Sequence, residues 1–340
     1  MKSRIEYIDA LRGFVMLLVV LGHVPMYCYH QTDVFSFSLI PSTFHLALFF
    51  FISGWFLNNA NDNSYRLWEL VKKKFVQLIV PTVVFYLLFC WLYNIDIVDN
   101  LWSDKYKAGY WFCIVLFGFY IILTLTLAIT KTVLWGTFLC LLFSALTLMF
   151  NTNAMTRLLT EWHIPNVLCL QQWQYFFFFY IGFIAHRYQN RFFAWLDNGR
   201  VMGIGILLFF GSLLIYYQQP MGLLGIKLGF LVWGGLGAIL SFAFFRKYEQ
   251  SFSSQTYVGR TLQYIGRRTL DVYLLHFFFL PRNLENLGSL IMGNGNPTVE
   301  LFVSLTIALI VIAMCLLIGN VIRLSPTLAH WTLGAKKHHE

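Results

Sequence analysis

The chain is short of charge. Of its 340 residues only 11% are Asp, Glu, Lys or Arg, where an ordinary soluble domain has about 25%. A soluble fold of this size cannot cover its surface with so few ionised groups. Acid is scarcer than base, 15 against 24, for a net charge of +9. Cysteine is sparse in a second sense. The six at 28, 90, 113, 140, 169 and 315 are scattered, and none forms a Cys-x-x-Cys pair. That spacing indicates neither a disulfide framework nor a zinc site. There is no repeat of 20–50 residues, no low-complexity tract, and no linker long enough to part a second domain. Residues 1–340 therefore read as one membrane-embedded domain. No small-residue cleavage site follows Gly22-His23-Val24-Pro25, and Asp9 and Arg12 interrupt the approach to the first apolar run. That run is expected to be a retained span and not a cleaved leader.

What is present is apolar surface. Hydrophobic residues make up 58% of the chain and aromatics 19%, with 35 Phe, 18 Tyr and 11 Trp. A bilayer accepts that excess as solvent. Phe suits lipid-facing surfaces, and Trp and Tyr suit the interfacial belts. A spanning helix needs roughly 20 mostly apolar residues. Such runs fall near 10–29, 42–58, 75–93, 110–130, 132–150, 170–186, 201–217, 222–245, 264–281 and 299–322. The expected fold is thus all-α, a polytopic membrane helix bundle of about ten transmembrane helices. Charge sets its direction. Of the 24 Lys and Arg, only Lys105, Lys107, Arg157 and Arg282 fall in the expected outer segments, and Lys227 lies within a span. The other 19 fall in inner segments. By the positive-inside rule both termini are cytoplasmic, in a multi-pass protein of the cell's inner membrane. The net charge then speaks of the bilayer and not of nucleic acid.

Ionisable side chains at membrane depth are costly, so each is a candidate for function. Asp9 and Arg12 are three apart and can pair on one helix face. Arg12 and His23 are eleven apart, which is about 20° past three full turns and roughly 16 Å along the axis. One stripe therefore carries Arg12 at the inner surface and His23 near mid-membrane. The alternatives are a topology anchor for Arg12 and a bond to a neighbouring helix for His23. Ser53 falls at similar depth in the second expected span, beside Gly54, which lets another backbone approach closely. On spacing alone, plain helix packing is the favoured explanation of that pair. His45 sits near the outer interface. Lys72, Lys73 and Lys74 precede the third span, and Arg267 and Arg268 precede the ninth. Both sets can hold phosphates or anchor topology. His276 lies about two and a half turns into the ninth span, with a structural hydrogen bond as its alternative. His338 and His339, beside Lys336 and Lys337, read as a solvated end, and no metal site is expected.

The residues resemble the acyltransferase-3 family of membrane acyltransferases. The resemblance rests on Tyr7-Ile8-Asp9-Ala10-Leu11-Arg12-Gly13, on the ten residues between Arg12 and His23, and on Phe44-His45 leading to Phe49-Phe50-Phe51-Ile52-Ser53-Gly54. It continues through the Lys72–Lys74 stretch before Pro81, Trp111-Phe112, Tyr175 to Gly182, and Gly266 to His276. It implies a ten-span fold and transfer of an acyl group, commonly acetyl, from cytoplasmic acyl-CoA to hydroxyls of surface or lipid-linked glycans. On that resemblance His23 is the essential histidine and Arg12 its paired arginine, with Asp9 beside them. Arg12, Ser53, Lys72, Lys73, Lys74, Arg267 and Arg268 are the candidates for the donor, and His45, Trp111 and His276 for the acceptor. The chain departs from the family in having lysines at 72–74 where arginines are common, and Leu46-Ala47 where Met-Pro is common. A lysine is a point charge without arginine's fork. The expected partners are the bilayer, acetyl-CoA or another acyl-CoA, and a glycan or glycolipid acceptor, with no metal. Two other functions compete: a transporter or flippase of a lipid-linked glycan or small solute, and an acyltransferase for an amine or small metabolite.

Overall fold

The structure is a computed structural model, and it describes residues 5–29, 39–57, 64–104, 106–130, 132–150, 164–218, 222–293 and 296–335. Lys105, Arg157, Lys336, Lys337, His338 and His339 lie outside the described residues. Among the described residues the regular elements are helical and there is no strand. In chain order they are α1 (Glu6–Cys28), α2 (Leu39–Ser42), α3 (His45–Trp55), α4 (Ser64–Lys74), a π-helical turn (Phe75–Ile79) and α5 (Val80–Leu92). Then come α6 (Ile97–Ser103), α7 (Trp111–Ile129), α8 (Val133–Phe150), α9 (Ile164–Val167), α10 (Phe176–Arg187), α11 (Gln189–Leu196) and α12 (Gly199–Gln218). The last are α13 (Leu223–Lys247), α14 (Tyr257–Arg267), α15 (Thr269–Phe279), α16 (Glu285–Gly293), α17 (Pro297–Ile322) and α18 (Pro326–Leu333).

Five stretches are long and apolar enough to cross a membrane: α1, Trp68–Leu92, α7, Leu224–Lys247 and α17. A bent pair, α11 with Gly199–Ile215 of α12, turns by 75° and makes a sixth if it is counted as one broken span. The other four expected spans are shorter or broken. The run at 42–58 is helical as α3 over 11 residues, about 16 Å of helix against a hydrocarbon core of about 30 Å. The run at 132–150 gives the apolar stretch Val133–Leu148. The run at 170–186 opens as 3₁₀ helix over Leu170–Tyr175, after Cys169 in the left-handed region, before α10 begins. The run at 264–281 is cut in two at Arg268, whose φ of −118° and ψ of 22° leave the helix between α14 and α15. Apolar composition sees none of these breaks, because the residues on both sides are equally suited to lipid.

The chain divides into two compact units, residues 1–52 with 188–319 and residues 53–187 with 320–340. In the first, α1 is the central element. It crosses α14 with the two backbones in contact. A Cβ on Gly13 would lie 1.9 Å from the Leu262 carbonyl oxygen, and one on Gly266 would lie 1.8 Å from that of Asp9. Any side chain at either position would force the helices apart. Thr256 caps α14, its Oγ1 accepting from Gly259 N at 2.9 Å. The Glu6 carboxylate accepts from the backbone N–H and hydroxyl of Ser254, both at 2.9 Å, tying the start of α1 to the turn before α14. Rings fill the rest: Tyr7 and Phe51 each meet Phe242 edge-on, and Phe245 stacks on Phe252 with centroids 4.0 Å apart.

The second unit has its own close crossing, where a Cβ on Gly54 would lie 1.8 Å from the Phe179 carbonyl oxygen of α10. The packing explanation for Gly54 is therefore the one the structure supports. An aromatic cluster of Phe119, Trp173, Phe176 and Phe179 joins α7 to the 3₁₀ turn and α10. Lys107, expected as an outer surface charge, is instead buried. Its Nζ donates to the Leu101 carbonyl at 2.7 Å and to the Asp104 carbonyl.

Candidate active site

Two levels of α1 carry the candidate groups of the first unit. At the lower level, Arg12 and Asp9 face each other across one turn with N···O of 3.8 Å, as their spacing predicts. The Arg12 guanidinium also donates to Thr269 Oγ1 at 3.0 Å, reaching the first residue of α15. That contact depends on the Gly13–Gly266 crossing, which brings the α14–α15 junction against α1. Beside it Arg268 pairs with Asp271 at 3.4 Å. The Asp271 side chain is 1% exposed and that of Arg268 is 24% exposed. Arg267 is exposed. Thr269 and Asp271 were not singled out by the sequence. Only their order after Arg267-Arg268 pointed to them, and that order says nothing of what they touch.

At the upper level, eleven residues along, His23 meets His276. His23 Nδ1 lies 3.0 Å from His276 Nε2, and the rings are 5° from parallel with centroids 5.1 Å apart. His276 is fully buried, whereas His23 keeps part of its surface accessible. The other nitrogen of His276, Nδ1, donates to the carbonyls of Val272 at 3.0 Å and Tyr273 at 2.8 Å. Phe277 packs on His276 with centroids 3.9 Å apart and on His23 at 5.2 Å, and Tyr27 meets His23 edge-on at 5.5 Å. The His45 Nδ1 donates to the Pro41 carbonyl at 2.8 Å. Pro25 sits two residues beyond His23 inside α1. Lacking an N–H, it leaves the Leu21 carbonyl without its partner four residues on.

The remaining candidates belong to the second unit. The Ser53 carbonyl accepts from Tyr120 OH at 3.4 Å. Lys74 lies over the Tyr120 ring, 4.8 Å from its centroid, and Lys72 pairs with Glu69 at 3.1 Å. Lys73 is exposed. The three lysines end α4 where the π-helical turn begins, a local feature that recurs at functional sites. Trp111 stacks on Tyr175 with centroids 6.1 Å apart. Among the described residues no group of three or more His, Cys, Asp or Glu could hold a metal ion.

A family model described as an acyltransferase domain matches residues 5–318. The chain belongs to the acyltransferase-3 family. It is a multi-pass membrane acyltransferase, and the transporter or flippase reading falls with that membership. No curated protein and no solved structure matches it.

Proposed function

We propose that this acyltransferase moves an acyl group, acetyl in the first instance, from acyl-CoA to a hydroxyl of a sugar, glycolipid or surface polysaccharide. The observation that carries the reading is the placement of His23. It is a partly accessible imidazole on the apolar helix α1, beside the fully buried His276, with a cationic cluster on the same unit about three turns away. A hydroxyl is a weak nucleophile at neutral pH, and imidazole is the side chain suited to take its proton. The proton of the acceptor hydroxyl passes to His23 as its oxygen attacks the thioester carbonyl carbon. The carbon–sulfur bond then breaks. The CoA sulfur takes the proton back from His23, leaving an ester and free CoA thiol. Arg12, Arg267 and Arg268 supply positive charge for the donor's phosphates, and roughly 16 Å between Arg12 and His23 suits a long thin donor.

The charge alternation along the chain supports donor entry from the cytoplasmic side of the inner membrane, with both termini on that side. A hydroxyl acceptor is favoured over an amine because a neutral amine is already a good nucleophile, whereas a hydroxyl is a poor one and gains most from a base that takes its proton during attack. The test is release of CoA thiol by the purified full-length protein, given acetyl-CoA with and without a glycan acceptor. Acceptor-dependent thiol release that is lost in His23→Ala supports the proposal. Turnover unchanged in a folded His23→Ala protein removes His23 from the chemistry.

A further inference from the structure

The partnering of the two histidines carries more than proximity. Carbonyl oxygens only accept hydrogen bonds. Since His276 Nδ1 faces two of them, at 3.0 and 2.8 Å, that nitrogen carries a proton. In a neutral ring the other nitrogen, Nε2, is then a bare acceptor. The 3.0 Å contact with His23 can be a hydrogen bond only if His23 Nδ1 is the donor. With its proton held on Nδ1, His23 is left with its lone pair on Nε2. The alternative is a doubly protonated His276 donating the other way. It would place a full charge on a ring that is 0% exposed and walled by Phe277 and Tyr273. Among the described residues no carboxylate is hydrogen-bonded to that ring, and an uncompensated charge there is costly.

We infer that His276 is a positioning residue: through the His23–His276 hydrogen bond it fixes His23 in the tautomer whose Nε2 is the free base. The inference rests on the acyl-transfer reading for its role, though not for its geometry. It gives His276 a task other than touching the acceptor, which fits a ring with both nitrogens engaged inside the protein. The division of labour follows exposure, with the accessible ring reacting and the buried ring holding it. The chain of protein groups runs from two backbone carbonyls of α15 through His276 to His23. In serine hydrolases a carboxylate does the holding. Here the holding groups are neutral, as suits a site inside an apolar bundle.

The first experiment needs no variant. Full-length protein labelled with ¹⁵N-histidine, in detergent or nanodiscs, is examined by NMR, with His23 assigned from the resonances lost in His23→Gln. A protonated Nδ1 and a bare Nε2 on His23 are expected, and His23 found with its proton on Nε2 overturns the inference. The second compares His276→Phe, which keeps the ring and removes the acceptor, with His276→Gln, whose side-chain oxygen restores an acceptor. His276→Phe is expected to lower kcat by about 10- to 100-fold with little change in KM for either substrate. His276→Gln is expected to recover most of that loss. Unchanged kcat in a folded Phe variant, or a loss that Gln does not repair, would each overturn the assignment. Should the purified protein cleave no acyl-CoA at all, acyl transfer from that donor fails, while the tautomer measurement still decides the hydrogen bond.

Discussion

The two levels of α1 are held in opposite ways. Around Arg12 the cations are partly open: the Arg12 side chain keeps 31% of its surface and Arg268 keeps 24%, each beside a more buried carboxylate. Around His23 the groups are rings, and what fixes them is a hydrogen bond, two backbone carbonyls and packed aromatics. The difference tracks burial: His276 is 0% exposed, whereas the Arg12 side chain is partly open. Near an aqueous surface a cation is partly solvated, so an ion pair can form and re-form around a charged ligand. Deep in an apolar bundle such a pair is expensive, and groups that hydrogen-bond while neutral are the less costly way to hold geometry. The contrast suggests that the lower level binds and the upper level reacts, and variants at each should separate along that line.

The sharpest break is at the upper level. His23→Ala is expected to lower acceptor-dependent kcat by about 10³-fold, the middle of the range for loss of a general base, with the protein still folded. Thiol release under saturating donor measures it, and an effect on KM alone would move His23 to the binding level. Next comes the hinge between the levels. Gly266→Ala places a methyl 1.8 Å from the Asp9 carbonyl, so α1 and α14 must separate. The expected cost is about 2–3 kcal/mol, at the upper end for overpacking, read as a lower Tm in detergent. Donor KM and kcat should both worsen, because Asp9 and Arg12 shift together against Thr269. A native Tm with native kinetics would show that the crossing does not position the site.

How much of this was legible beforehand depends on whether a feature is local. The apolar runs, the Asp9–Arg12 pair and the stripe joining Arg12 to His23 are properties of one helix, and composition and period reveal them. His23 and His276 are 253 positions apart. Each could be marked as an ionisable group at depth, but only packing shows that they share a hydrogen bond. Thr269 was visible as a residue and invisible as the partner of Arg12. The broken stretches at 170–186 and 264–281 escaped because hydropathy averages over a backbone break. Cys169 at φ 52° and Arg268 with its non-helical ψ are single-residue events inside windows that remain apolar. Lys107 escaped for the converse reason. A lysine in a polar loop is ordinarily solvated, and only the fold supplies the two carbonyls that bury it.

The lower level is expected to answer more gently. Arg12→Ala should raise the donor KM by about 10- to 30-fold, the loss of one charge-assisted contact worth roughly 1.5–2 kcal/mol, while kcat holds. Arg12→Lys is the smallest and most discriminating change. The guanidinium reaches two ways at once, one nitrogen towards Asp9 and another to Thr269, and a lysine keeps the charge without that fork. If Arg12 serves the donor mainly as a charge, Arg12→Lys should raise the donor KM by only about 3-fold, well short of the Ala variant, with kcat unchanged. If Arg12 instead serves as a brace between α1 and α15, Lys and Ala should lower Tm to a similar extent and the donor KM should barely separate them. Titrating acetyl-CoA against both variants, with Tm measured on the same preparations, decides between a binding cation and a brace, and so tests whether the two levels of α1 do different work.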